Sequence, residues 1–268
     1  MFCIRRLLFV FLLPSFSVIS FSQTGKFVNA IEDNSFFIEE AYNQEDHVVQ
    51  HISNFLFSKS GFDYNFTQEW PVAGLKHQLS YTIPVSHIKN GSTGFGDAMI
   101  NYRYQLSYKN DAVVSAPRVS LILPTGNSSK GLGYKSWGTQ ANLPLSKRWS
   151  NKFINHFNAG FTHYFKIKDR DIGFNRSMSE VFGGVSNIWL ASEKFNVMLE
   201  YFANRGGTPE INNKISYSTE HIVAPGMRMA IDIKNLQIVP GIAAPVALSK
   251  NNKPMYGFLF YLSFEHTY

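Results

Sequence analysis

The chain has 268 residues, enough for one large all-β domain or two small ones, and at 44% hydrophobic it is not a disordered chain. Charged residues are only 16% and aromatics 15%, a balance suited to a protein with limited water-exposed surface. The net charge of +6 is scattered with no basic run, which excludes a nucleic-acid patch, and a single cysteine excludes a disulfide framework and a thiolate metal site.

Residues 1–22 read as a secretory signal. Arg5 and Arg6 form a basic start, and residues 7–19 form an apolar stretch too short for a membrane span. Ser20 and Ser22 put small residues at the cleavage-determining positions, so the mature chain is expected to begin at Gln23. Cys3 lies before the apolar stretch, whereas a lipoprotein cysteine would follow it. No later segment approaches 18 uninterrupted apolar residues, so no helical span is expected.

Residues 23–47 are the least strand-like part. Their stretch "FFIEEAYNQED" (36–46) suits one or two helical turns, or an extension lying on the periplasmic side or folding into a lumen. From residue 48 onward, alternating segments are separated by turn chemistry. Strands are expected over 48–58, 62–70, 74–85, 96–108, 112–123, 136–147, 152–166, 178–191, 195–203, 219–233, 236–248 and 255–268. That is twelve, an even number, as in bacterial single-chain barrels. Most are longer than the ~5–6 residues of soluble strands and match the ~9–11 that a tilted membrane strand needs.

The stretch "GDAMINYRYQLSYKND" (96–111) shows the pattern. Ile100, Tyr102, Tyr104 and Leu106 fall on one parity, and Asp97, Asn101, Arg103 and Gln105 on the other. In "FDYNFTQEW" the ring-bearing Phe62, Tyr64, Phe66 and Trp70 oppose Asp63, Asn65, Thr67 and Glu69. Short connections such as "VAG", "KND", "SEK" and "KN" alternate with longer ones such as "NGSTGF", "PTGNSSKGLGYK", "KDRDIGFNRS" and "NRGGTPEINNKISYS". Periplasmic turns and extracellular loops of an outer-membrane barrel alternate in this way.

Energetics choose which face looks inward. Arg103 and Arg118 sit near mid-strand, and an Arg on the lipid face at mid-depth costs ~2–4 kcal/mol. They therefore belong on a polar lumen face with Asp97, Glu69 and Glu200, and the tyrosines face lipid. The expected lumen residues are Asp63, Glu69, Lys76, Asp97, Arg103, Arg118, Glu200 and Arg228. Trp70, Trp149 and Trp189 fall near expected periplasmic strand ends and Trp137 near an extracellular start, where aromatic girdles sit. Pro117, Pro225 and Pro240 fall inside proposed strands, which calls for bulges or shifted boundaries, since a closed barrel has no free edge.

The last strand, "YGFLFYLSFEHTY", keeps Tyr256, Phe258, Phe260, Leu262, Phe264 and Tyr268 on one parity. It resembles the terminal aromatic signal read by the barrel assembly machinery, with His266 departing from it. Four further stretches, "FFIEEAYNQEDHVVQHISNF", "FTQEWPVAGLKHQLSYTIPV", "GFGDAMINYRYQL" and "APRVSLILPTGN…GLGYKSWGTQANLPLSKRW", carry a family likeness over residues 36–165. There the chain resembles the outer-membrane β-barrel "transporter" family of phenol meta-pathway degradation proteins. The resemblance implies an outer-membrane barrel for passage of small, often hydrophobic compounds, and it carries no catalytic residue.

Enzyme chemistry is weighed on "HISN" (51–54), where His51 and Ser53 share a strand face and resemble the His-x-Ser of lipid A deacylases. No orienting acid accompanies them. His47 and His51 would share a metal only on a helix, and "GNSSKGLG" (126–133) lacks the Gly-Lys-Ser/Thr end of a phosphate loop. The reading is therefore an all-β, closed antiparallel transmembrane barrel with no cofactor, partnered by outer-membrane lipid and small-molecule solutes. A lipid-acting barrel enzyme and an adhesive surface barrel are the alternatives.

Overall fold

The computed structural model describes residues 35–107, 112–250 and 252–267. The expected signal segment and Tyr268 lie outside the described residues. The strands are β1 (Val48–Ser58), β2 (Gly61–Pro71), β3 (His77–Ile88), β4 (Thr93–Phe95), β5 (Met99–Tyr104), β6 (Val114–Ser115), β7 (Arg118–Ile122) and β8 (Gly138–Ser150). They continue with β9 (Phe153–Asp169), β10 (Phe174–Ser192), β11 (Phe195–Glu210), β12 (Lys214–Met229), β13 (Ile231–Ile233), β14 (Leu236–Ala243), β15 (Val246–Ser249) and β16 (Met255–Thr267).

These sixteen segments form one antiparallel sheet that closes into a barrel of twelve staves, because β4 with β5, β6 with β7, β12 with β13 and β14 with β15 are broken staves. Closure is between β1 and β16, from Val48 opposite Thr267 to Ser58 opposite Gly257. A closed sheet leaves no free edge, so the ladder itself satisfies the backbone polar groups that lipid would strand.

Proline explains the breaks. Pro117 separates β6 from β7, and Pro144 of β8 lies opposite that gap, its carbonyl accepting Ala116 N–H at 3.3 Å. Pro225 lies opposite the gap between β14 and β15, where its carbonyl accepts Ala244 N–H at 3.0 Å. Pro240 falls where β12 gives way to β13 as its neighbour. Lacking an N–H, each proline stands where one side of the ladder is already interrupted.

Two expected loops are strand instead. The stretches 167–177 and 204–218 largely extend β9–β10 and β11–β12, which turn only at 170–173 and 211–213. On these extensions the register shifts between Arg176 and Met178, and the apolar Ile167, Phe174 and Met178 are buried on the inside, so the polar-in, apolar-out alternation breaks down while the backbone ladder continues. Residues 36–46 form no helix.

The outer face carries the apolar parity: Ile100, Val119, Leu121, Leu143, Phe157, Phe161 and Leu199 are all exposed. Trp137 and Trp149 bound this band at the two ends of β8, both exposed, and Trp189 is exposed near the end of β10. The opposite parity is buried inside, through Gln78, Ser80, Asn101, Arg103, Asn142, Ser146, His156 and Asn158. A buried polar parity with an exposed apolar one inverts the soluble pattern, and a barrel in lipid requires that inversion.

Candidate functional site

The interior is occupied by a segment of the chain itself, residues 35–44, which runs across the barrel without helix or strand, while Glu45, Asp46 and His47 are exposed in the turn before β1. The segment's backbone bonds to side chains of the staves. Phe36 and Phe37 N–H donate to the two Glu200 carboxylate oxygens at 3.0 and 2.9 Å. Glu39 N–H donates to Asn158 Oδ1 at 2.9 Å, Ala41 N–H to Ser146 Oγ at 2.8 Å, and Asn43 N–H to Gln105 Oε1 at 2.8 Å. Gln44 N–H donates to Gln78 Oε1 at 2.7 Å. In return, Asn158 Nδ2 and Gln105 Nε2 donate to the carbonyls of Glu39 and Ala41, each at 2.7 Å. An unpaired buried backbone group is costly, so inward Asn, Gln, Ser and Glu replace the ladder this segment lacks.

Charge organises the centre. Arg103 on β5 and Arg118 on β7 are direct cross-strand partners, which would repel if left alone. Glu39 enters between them, 2.6 Å from Arg118 Nη2 and 3.0 Å from Arg103 Nη2, and Glu40 reaches Arg103 Nη1 at 3.3 Å. Arg118 Nη1 and Nη2 also reach Asn101 at 3.1 Å and Gln140 at 2.7 Å. Burial pushes the Glu39 carboxyl upward, but Arg118 and Arg103 outweigh it and hold the pKa down at about 2. Glu69, also buried, accepts from Gln78 Nε2 at 2.8 Å.

Small residues seat the segment's side chains. A Cβ at Gly226 would fall 2.4 Å from the Phe36 ring, and one at Gly184 would fall 2.6 Å from Ile38 Cδ1. Phe36 meets Tyr261 edge-on at 6.1 Å, and Phe37 stacks on Phe202 at 6.3 Å. A cavity of about 370 Å³ remains beside the segment. Phe37, Phe182, Phe202 and Tyr261 contribute its aromatic lining, and Asn65, Thr67, Ser80, Thr82, Asn101 and Asn142 its polar lining.

Of the residues singled out from sequence, Glu69, Arg103, Arg118, Glu200 and Arg228 are buried inside, and the first three line this cavity. Asp63 is exposed and accepts from Ser86 Oγ at 2.7 Å. Lys76 is exposed in the turn before β3. Asp97 accepts the N–H groups of Gly126 at 2.8 Å and Tyr134 at 2.7 Å, fixing the long loop between β7 and β8. Sequence reasoning missed the amide and hydroxyl set Gln78, Gln105, Ser146 and Asn158. Their parity was legible, but their bonds to a segment far away in sequence were not. On the outer face, His51 Nε2 lies 3.3 Å from His266 Nε2, and Ser53 Oγ lies 3.2 Å from Tyr64 Oη.

The class this geometry defines is a closed twelve-stave barrel of outer-membrane type. Its fold is similar to a COG4313 outer membrane channel from Pseudomonas putida F1, with TM-score 0.64 and 12% identity over 85% of this chain and 98% of that one. It is also similar to the NanC porin (TM-score 0.54, 6% identity, 82% of this chain and 100% of that one). The KdgM porin in complex with disordered oligogalacturonate matches with TM-score 0.51 and 13% identity over 82% of this chain and 99% of that one. At these identities the likeness is one of fold. No family model and no curated protein matches the chain.

Proposed function

We propose that the chain is an outer-membrane channel through which small molecules, hydrophobic and aromatic ones included, pass passively. The observation that carries this reading is the internal cavity of about 370 Å³, aromatic in one part of its lining and rich in amides and hydroxyls in the rest. A packed structural barrel would fill that space. Selectivity would follow lumen charge and constriction, set by Glu69, Arg103 and Arg118, which line the cavity, together with segment 35–44. The fold of the porin and channel neighbours and the phenol meta-pathway resemblance support the same reading. Export through a cleaved signal and insertion through the C-terminal aromatic strand belong to this proposal.

The test is permeation. Purified, folded protein in planar bilayers should conduct ions, and proteoliposomes should swell in small neutral and aromatic solutes. Silent bilayers and non-swelling liposomes from protein with the heat-modifiable mobility of a folded barrel would refute the channel.

A further inference from the structure

Arg228, on the inward parity of β12, is 1% exposed, and its Nε, Nη1 and Nη2 have no hydrogen-bond partner among the described residues. This sets it apart from Arg103 and Arg118, which Glu39 and Glu40 neutralise. Its side chain runs over its cross-strand partner Gly241, where a Cβ would fall 2.6 Å from Arg228 Cγ. Its Cζ then lies 5.5 Å from the centre of the Tyr261 ring. The Phe36 ring closes the site from the lumen, 2.4 Å from where a Cβ of Gly226 would stand and 3.1 Å from that of Gly241. Ser263, two residues from Tyr261 on the same inward face, also has an Oγ without a partner.

An enclosed guanidinium is costly when no acceptor reaches its five N–H donors, and neither the Tyr261 ring nor the cross-strand neighbour Asn196 accepts from them. The face of the cation is occupied by Tyr261, and the edge that carries the donors is the unused part. That edge matches two oxygens of one carboxylate or phosphate. The two glycines leave the notch bare of side chains, so it opens as soon as the Phe36 ring departs. We propose that Arg228 anchors an oxyanion site, for a carboxylate or phosphate, which Phe36 covers while segment 35–44 fills the lumen. This goes beyond the channel reading, and its test reads no conductance.

The test is arginine-specific labelling of the full chain with phenylglyoxal in detergent micelles, with Arg228 followed by peptide mass spectrometry. Arg228 should stay unlabelled in the parent and become labelled in Phe36→Ala. Inorganic phosphate or succinate should then slow that labelling several-fold relative to chloride at equal ionic strength. Equal rates with and without the anions would overturn the site, and an unlabelled Arg228 in the variant would overturn the covering by Phe36. Phe36→Leu, a milder change, is read in the same way if Phe36→Ala loses heat-modifiable folding.

Discussion

Arg103 and Arg118 stand directly opposite each other on neighbouring staves, and one carboxylate, Glu39, is bonded to both. The pair lies inside the barrel, where separation by water is limited, so the like charges are tolerable only because the segment brings an anion between them. The barrel wall and the segment are thus electrostatically incomplete without each other.

Glu39→Gln should therefore destabilise the protein. Removing one partner of a buried ion pair costs ~3–5 kcal/mol, and the low end applies because Glu39 keeps 29% exposure. Urea unfolding followed by gel mobility measures the loss. Adding Arg118→Gln should recover part of it, because the second change removes the charge left unpaired. Strict additivity of the two substitutions would contradict the coupling.

The same pair sets a pH dependence. The Glu39 pKa is lowered from 4.5 to about 2 by Arg118 and Arg103 against the effect of burial. A depressed carboxylate contributes stability that is complete above the unfolded value and is lost as pH falls through the folded one. Hold of the segment by Glu39 should thus be constant from neutral pH to about 4.5 and weaken only between there and about 2. Proteolysis of segment 35–44 by an acid-active protease should rise across that window in the parent. In Glu39→Gln it should be high throughout.

Much of the barrel was legible in the sequence because lipid imposes a strict period of two on its outer face. Leu143 and Asn142 could be assigned opposite sides by parity alone. Strand ends were not legible in Arg205 to Glu210, where the inward position is a glycine packed on Met178 and the exposed ones are polar, so no apolar alternation marks the ladder. Nor was the seat of segment 35–44. Glu200 read as a charge for a wet lumen, whereas it is fully enclosed and serves as the acceptor for two backbone groups 164 and 163 residues away. Side-chain-to-backbone bonds of that span leave no periodic trace.

Glu200→Ala should release the start of the segment. Two backbone donors, one buried and one part-buried, lose their acceptor, each at a cost of ~1–3 kcal/mol. Phe36 and Phe37 would then be held by packing alone. The expected result is faster cleavage of the segment by added protease, with the heat-modifiable barrel band unchanged. Cleavage at the parental rate would show that the carboxylate does not hold it.

Asp97→Asn concerns the rim distant from the chain ends. The carboxylate accepts from Gly126 and Tyr134 at the two sides of one loop, so losing its charge weakens two charge-assisted bonds at once. A cysteine placed at Lys130, exposed in that loop, should exchange spin-label conformers more freely in the variant. Barrel stability should change little, since the loop lies outside the closed ladder.

Charged substitutions at neighbouring positions of β8 give the sharpest test of which face meets lipid. Leu143 is exposed about midway between Trp137 and Trp149, whereas Asn142 is buried and lines the cavity. Leu143→Lys puts an ammonium near the bilayer midplane, at ~2–4 kcal/mol. Its folding into liposomes should require correspondingly milder urea. Asn142→Asp instead puts a carboxylate in the polar interior, directly opposite Arg118 and beside Asn158. Its folding should suffer less, and any ion conductance should shift toward cations. The reverse order of folding penalties would turn the barrel inside out and remove the basis for placing Arg103 and Arg118 within it.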